Sequence, residues 1–194
     1  MLLNKQYLSI LAKNEQLNFS TKQDNVLNEN RQIFTSKNRY DVFLSHSSLD
    51  KELVYVLVNL FNKAQYSVYV DWMVDTQLDR TSVSKRTSEV LRTRMDSSRS
   101  LAYVATGNAA QSKWCPWELG YEDGKTRGRC AILPVLDNSS ALFKGQEYLS
   151  LYPYMEYVQT PNSSRYDFGV YDNENPKMYV VLSSWLDGKD PTTH

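Results

Sequence analysis

Four short runs of β-branched, aliphatic and aromatic residues recur along the middle of this chain, and what lies between them leaves few folds open. They are Tyr40–Ser45, Ser67–Trp72, Ser100–Thr106 and Cys130–Leu136. Each is too short for a helix and carries little charge, as a strand buried on both faces does. Longer segments separate them. Leu53, Val56, Leu57, Leu60, Phe61 and Ala64 fall on one helical face, and helices are also expected over Ser82–Met95 and Ser112–Lys125. Strands alternating with helices build parallel βαβ units whose sheet is covered on both faces. The fold class is therefore α/β, a three-layer arrangement around a central parallel sheet.

The flanks differ from this middle. Residues 1–38 are polar and contain no glycine or proline. Leu2, Leu3, Tyr7, Ile10 and Leu11, then Val26 and Leu27, keep a weak helical spacing, so this extension is expected to be helical or partly disordered. A compact domain is expected over 39–160 and a C-terminal extension over 161–194. Met73–Arg80 reads as a loop, as do 137–175, and Pro176–Leu186 as a closing helix.

Several chemistries are excluded. Twenty-two basic residues balance twenty-two acidic ones, so no broad positive field recruits nucleic acid or an anionic membrane. Two histidines, His46 and His194, are too few for a histidine-rich metal site. Two cysteines, Cys115 and Cys130, make no disulfide framework and suit a reducing cytoplasm. The apolar patch Tyr7–Ala12 is too short to span a membrane. No Gly-x-Gly-x-x-Gly occurs, and Gly120–Thr126 is one residue short of a phosphate loop and lies at a helix end. Ser45 and Thr106 stand where a phospho-receiver would want acids, and there is no nucleophile elbow.

Ligands of open parallel sheets bind beyond the carboxyl ends of the strands, where strand order reverses. That rule selects Ser45–Ser48, Asp71–Asp75 and Thr106–Glu118. Two of these segments carry a family resemblance. Tyr40-Asp41-Val42-Phe43-Leu44-Ser45-His46-Ser47-Ser48-Leu49-Asp50 resembles the opening strand and turn of TIR domains. Ser112-Lys113-Trp114-Cys115-Pro116-Trp117-Glu118-Leu119 is similar to their Ser-x-x-Trp-Cys-x-x-Glu-Leu helix, with Ser112 and Trp114 one residue closer together. The resemblance spans roughly 39–160 and implies a flavodoxin-like sheet of about five parallel strands.

It also implies two functions that the residues leave open: cleavage of NAD, or non-catalytic TIR–TIR contacts in signalling. A sensor that holds a nucleotide without cleaving it is a third. In the enzymatic case Glu118 matches the family's catalytic glutamate and Trp114 an aromatic of the same pocket. Ser45, His46, Ser47, Asp71 and Trp72 are the further substrate-binding candidates, and Tyr103 or Trp117 could also stack a ring. Packing is the expected role of Cys115 and Trp117, and Arg80, Lys85, Arg86, Arg92, Arg94 and Arg99 read as a solvated helix face. NAD is expected as substrate, with no cofactor or metal. The resemblance further implies self-association, with Met73–Thr81 as contact and gating loop. A separate effector would read the product, as in Thoeris-type antiphage defence.

Overall fold

The computed structural model describes residues 2–14, 39–76, 78, 83–126, 128–139, 146–161 and 163–193. Its centre is a nine-stranded sheet, counted among those residues. Five successive neighbours run parallel: β2 (Val42–Ser45), β3 (Val68–Tyr69), β4 (Leu101–Ala105), β5 (Cys130–Leu136) and β6 (Tyr154–Gln159), in the spatial order β3-β2-β4-β5-β6. This is the doubly wound order with its reversal between β2 and β4, as expected. Beyond β6 the sheet continues antiparallel through β7 (Tyr166–Tyr171), β8 (Met178–Val181) and β9 (Thr192–Thr193). At the other end of the chain β1 (Leu3–Asn4) pairs in parallel with Val135 and Leu136 of β5.

Side chains of a strand alternate between the two faces, and the two cores sort accordingly. Val42, Leu44, Val68, Ala102, Val104, Ala131 and Leu133 face α2 (Lys51–Lys63). Phe43, Tyr69, Leu101, Tyr103, Ala105, Cys130 and Ile132 face α4 (Lys85–Asp96) and α5 (Trp114–Thr126), which contribute Leu91, Met95, Cys115 and Leu119. Ser45 follows Phe43 by two and so turns toward α5. Helix α2 is buried on more than one face, because Tyr55 and Val58 are covered as well as the expected stripe. The second cover comes from α1 (Lys5–Asn14), whose Leu8 and Ala12 are buried, and from β7, where Phe168 stacks on Phe61 with centroids 3.9 Å apart.

Four local expectations need correction. The run Ser67–Trp72 is not one strand: only Val68 and Tyr69 pair, and Asp71–Val74 forms the short helix α3, so Met73 and Val74 are helical rather than loop. Among the described residues β3 is an edge strand, with β2 as its neighbour in the ladder. The Met73–Thr81 loop is described only in part, since residues 77 and 79–82 lie outside the described residues, as do 15–38. The segment 137–175 contains two strands, and Pro176–Leu186 is β8 followed by the five-residue helix α6 (Leu182–Leu186). Tyrosine-rich β6 and β7 form a ladder, with Tyr154 stacked on Tyr171 and Tyr157 on Tyr166; aromatic and β-branched pairs of this kind favour strands over loops.

The basic cluster is only partly a solvated face. Arg94 grips Asp75 through both Nε (2.9 Å) and a terminal nitrogen (2.8 Å), which ties the end of α3 to α4. Asp75 also accepts from the Tyr69 hydroxyl at 2.8 Å, and these contacts raise the Arg94 guanidinium further above its ordinary range. Arg92 lies over Trp117 at 5.3 Å. Arg99 pairs with Asp41 and Asp187, and Arg129 with Asp190, at the amino ends of β2, β4 and β5. Gly188 reverses the chain after α6 at φ +98°, a conformation that favours glycine, and its carbonyl accepts from Arg129 at 2.8 Å. These pairs dock the C-terminal segment, and Trp185 drives it home at 1% exposure. No helix among the described residues is long and apolar enough to cross a membrane.

Candidate active site

The carboxyl ends of β2 and β4 bring together residues from three loops. Ser45 ends β2 on the α5 side, directly opposite Tyr103 of β4 in register. Helix α5 starts after Ser112, whose hydroxyl accepts the backbone N–H groups of Trp114 and Cys115 at 3.2 Å each. Four residues on from Trp114, one turn further, Glu118 points inward. The Ser45 hydroxyl donates to Glu118 Oε2 at 2.6 Å, and both residues are fully buried. A carboxylate held this way is fixed in direction, which electrostatic stabilisation of a developing cation requires.

A second group sits beside it. His46 Nε2 accepts the Trp72 indole N–H at 3.0 Å, and Asp71 Oδ1 lies 3.4 Å from the same nitrogen. Trp72 is half-buried and Lys51 Nζ stands 5.9 Å over its ring. Asp71 is 5% exposed, buried rather than presented at the rim. Trp114 belongs to the same buried layer as Tyr103 and meets Trp117 edge-on at 5.5 Å. Ser47 is spent on its own turn, where its hydroxyl accepts the Leu49 N–H at 3.3 Å. Trp117 turns away from the pair, stacking on Tyr121 with Arg92 above both. Cys115 and Cys130 are buried and not joined in a disulfide, and burial pushes the Cys130 thiol far up.

Three residues join the site that motif reading did not single out. Asp50, at the start of α2, accepts from the Thr106 hydroxyl and the Asn108 side-chain amide, both at 2.6 Å. Thr106 also accepts the Ala109 N–H at 3.0 Å. Asp50 thereby bolts the loop after β2 to the loop after β4 across the strand reversal. The available signal was weak: an acid at a helix start and polar residues after a strand, 56 positions apart.

One turn beyond Glu118, Glu122 is also fully buried. Lys125 Nζ lies 2.9 Å from its Oε2 and donates to the carbonyls of Met95 and Ser98 at the end of α4. Burial outweighs the Lys125 contact and raises the Glu122 carboxyl from about 4.5 to about 7. A raised carboxyl binds its proton in the folded state before the unfolded state does. Its contribution to stability is therefore full below about 4.5 and falls as pH rises to about 7. Against wild type, Glu122→Gln should gain stability across that window, by a shift on the order of 2–3 kcal/mol. Urea denaturation at pH 5 and pH 8 measures this; equal differences at the two pH values would rule it out.

Comparison with known proteins gives the family and two relatives. A family described as TIR domain matches residues 42–162. A protein of Bacillus cereus (strain MSX-D12), named "Probable 3' cyclic ADP-D-ribose synthase ThsB'", is 42% identical over 188 residues, covering 95% of this chain and 94% of that protein. A protein of Cytobacillus dafuensis, whose name includes "cyclic ADP-D-ribose synthase TIR2", is 40% identical over 94 residues, covering 47% of this chain and 25% of that protein.

Proposed function

Because the chain belongs to the TIR domain family, we propose that it cleaves the nicotinamide–ribose bond of NAD and closes the remaining ADP-ribose into a cyclic signal. The observation that carries this is the buried Ser45–Glu118 pair at 2.6 Å, set at the strand reversal inside the family-matched segment. Likeness over nearly the full length to a protein named as a 3' cyclic ADP-D-ribose synthase supports the choice of product.

In the proposed reaction the bond between the ribose C1′ and the pyridinium nitrogen breaks. Its electron pair passes to the ring, which leaves as neutral nicotinamide without needing a proton. The sugar becomes an oxocarbenium-like cation, which the Glu118 carboxylate stabilises. A hydroxyl of the same molecule then attacks C1′, forms the new glycosidic bond and releases its proton. Water attacking in its place would give linear ADP-ribose. Trp114 and Trp72 supply rings for stacking, worth roughly 1–3 kcal/mol per base in comparable sites. Ser45 acts through Glu118, holding the direction of the carboxylate. Ser45→Ala should lower kcat/KM for NAD about tenfold, the scale of one lost charge-assisted hydrogen bond, and steady-state release of nicotinamide reads this directly. An unchanged kcat/KM would remove Ser45 from the site.

Glu118 has no exposed surface, so the substrate reaches it only when the loops at the carboxyl ends part. Self-association through TIR–TIR contacts near Met73–Thr81 is the proposed trigger, and a separate effector the proposed reader of the product. A cytoplasmic setting accords with two cysteines that form no disulfide. The same complete burial is what a non-catalytic TIR–TIR module would tolerate. Incubating the purified chain with NAD, dilute and then crowded, separates the two. Nicotinamide with a cyclic product by mass spectrometry is expected; none under either condition favours the module.

A further inference from the structure

The loop after β2 and the helical turn after β3 meet at one imidazole. His46 is 1% exposed. Its Nδ1 lies 2.8 Å from the Leu44 carbonyl oxygen, and its Nε2 lies 3.0 Å from the Trp72 indole nitrogen. An indole N–H can only donate, so Nε2 must present its lone pair. The ring is then neutral with its proton on Nδ1, donated to Leu44. Asp71 Oδ1 stands 3.4 Å from that same Nε2.

We infer that His46 is a positioning residue: by accepting the Trp72 N–H it fixes the plane of the indole that stacks on the substrate. This rests on the proposed NAD site having Trp72 as a stacking residue. Stacking is a contact between planes, so its strength depends on the ring holding its orientation before the ligand arrives. Here His46 holds the indole by its edge, while Lys51 Nζ sits over its face at 5.9 Å. His46 is itself anchored to the backbone of β2 through Leu44, so the plane of Trp72 is referred to the sheet that also carries Ser45. The two halves of the site, Ser45 with Glu118 and His46 with Trp72, are in this way aligned by adjacent residues of one strand end.

Among the charged side chains near this pair, Asp71 Oδ1 approaches the imidazole most directly in the contacts seen, at 3.4 Å from Nε2. Asp50 is engaged by Thr106 and Asn108, and Glu118 by Ser45. Lys51 lies over the indole rather than the imidazole.

The test uses the full chain and two readouts, the indole N–H resonances and the kinetics of NAD cleavage. Trp72→Phe identifies the Trp72 resonance by its loss. His46→Phe should move that resonance toward the position of a water-exposed indole. It should also raise KM for NAD about fivefold while kcat changes less than about twofold, as loss of one hydrogen bond used in binding predicts. His46→Gln, whose amide oxygen can accept the indole N–H, should recover most of the KM and shows that the site still folds. Combined with Trp72→Phe, His46→Phe should add nothing, since its effect runs through the indole. An unmoved resonance in His46→Phe, or the same KM penalty with and without the Trp72 N–H, would overturn the inference. Should the wild type release no nicotinamide, the enzymatic proposal fails separately, and the resonance alone decides whether His46 holds the indole.

Discussion

Glu118→Gln should leave a folded protein that releases nicotinamide from NAD some 10²–10³-fold more slowly. The substitution keeps the shape of the side chain, and its amide oxygen can still accept the Ser45 hydroxyl that now lies 2.6 Å from Oε2. What it removes is the negative charge. A neutral amide stabilises an oxocarbenium-like cation far less than a carboxylate, and removing one such preorganised group commonly costs this much in rate. Because the pair has no exposed surface, there is little solvent to screen the lost charge. Binding of NAD should change less, since the positive charge lies on the pyridinium before cleavage and reaches the sugar carbon that Glu118 stabilises only as the bond breaks. The measurement is kcat for nicotinamide release alongside a thermal melt. Normal turnover with an unchanged melt would show that Glu118 is a structural acid and would move the chemistry elsewhere in the pocket.

The other large effect is on folding. Trp185→Ala should destabilise the protein by about 3–5 kcal/mol, the range for deleting a large buried aromatic. Trp185 is 1% exposed and leads the fully buried side chains by volume. It joins the same core as Phe61, Val68, Ala131 and Phe168, and Arg129 lies over its ring at 5.5 Å. Such a loss is a large share of the roughly 5–15 kcal/mol that holds a domain together. Equilibrium unfolding in urea would measure it, and a change under about 1 kcal/mol would mean that the C-terminal segment merely rests on the domain. Tyr66 offers an independent check, since its hydroxyl donates to Asp167 at 2.9 Å and accepts the Ser183 N–H at 3.1 Å, linking the same segment to the end of α2.

These two residues mark the limits of reading by pattern. Glu118 was legible because a helix of known spacing follows a strand of known direction, and the family motif falls on it. The parallel strands were legible for the same reason, as unbroken apolar runs, and Cys130–Leu136 is a strand over the whole of its expected length. Trp185 was not legible. A tryptophan in a polar, serine-rich tail has no periodic partners, and its burial depends on β7, which lies in a stretch that reads as loop, and on β8, which reads as part of a closing helix. Arg94 misled in the opposite direction: among five other cations it looks solvated, yet Asp75 holds it at two points.

By itself the chain order determined which way each strand residue faces, because alternation along a strand is local and needs no partner. Ser45 had to share a face with Phe43, and Glu118 had to lie one turn beyond Trp114. Which side chains then touch was a matter of packing. Ser45 reaches Glu118 across 73 positions, Trp72 reaches His46 across 26, and Asp50 reaches Thr106 across 56. No local period encodes such separations. They close only when the sheet fixes the register of β2 against β3 and β4 and the helices settle onto it, and in that step a recognisable glutamate becomes a carboxylate with a defined direction and neighbours.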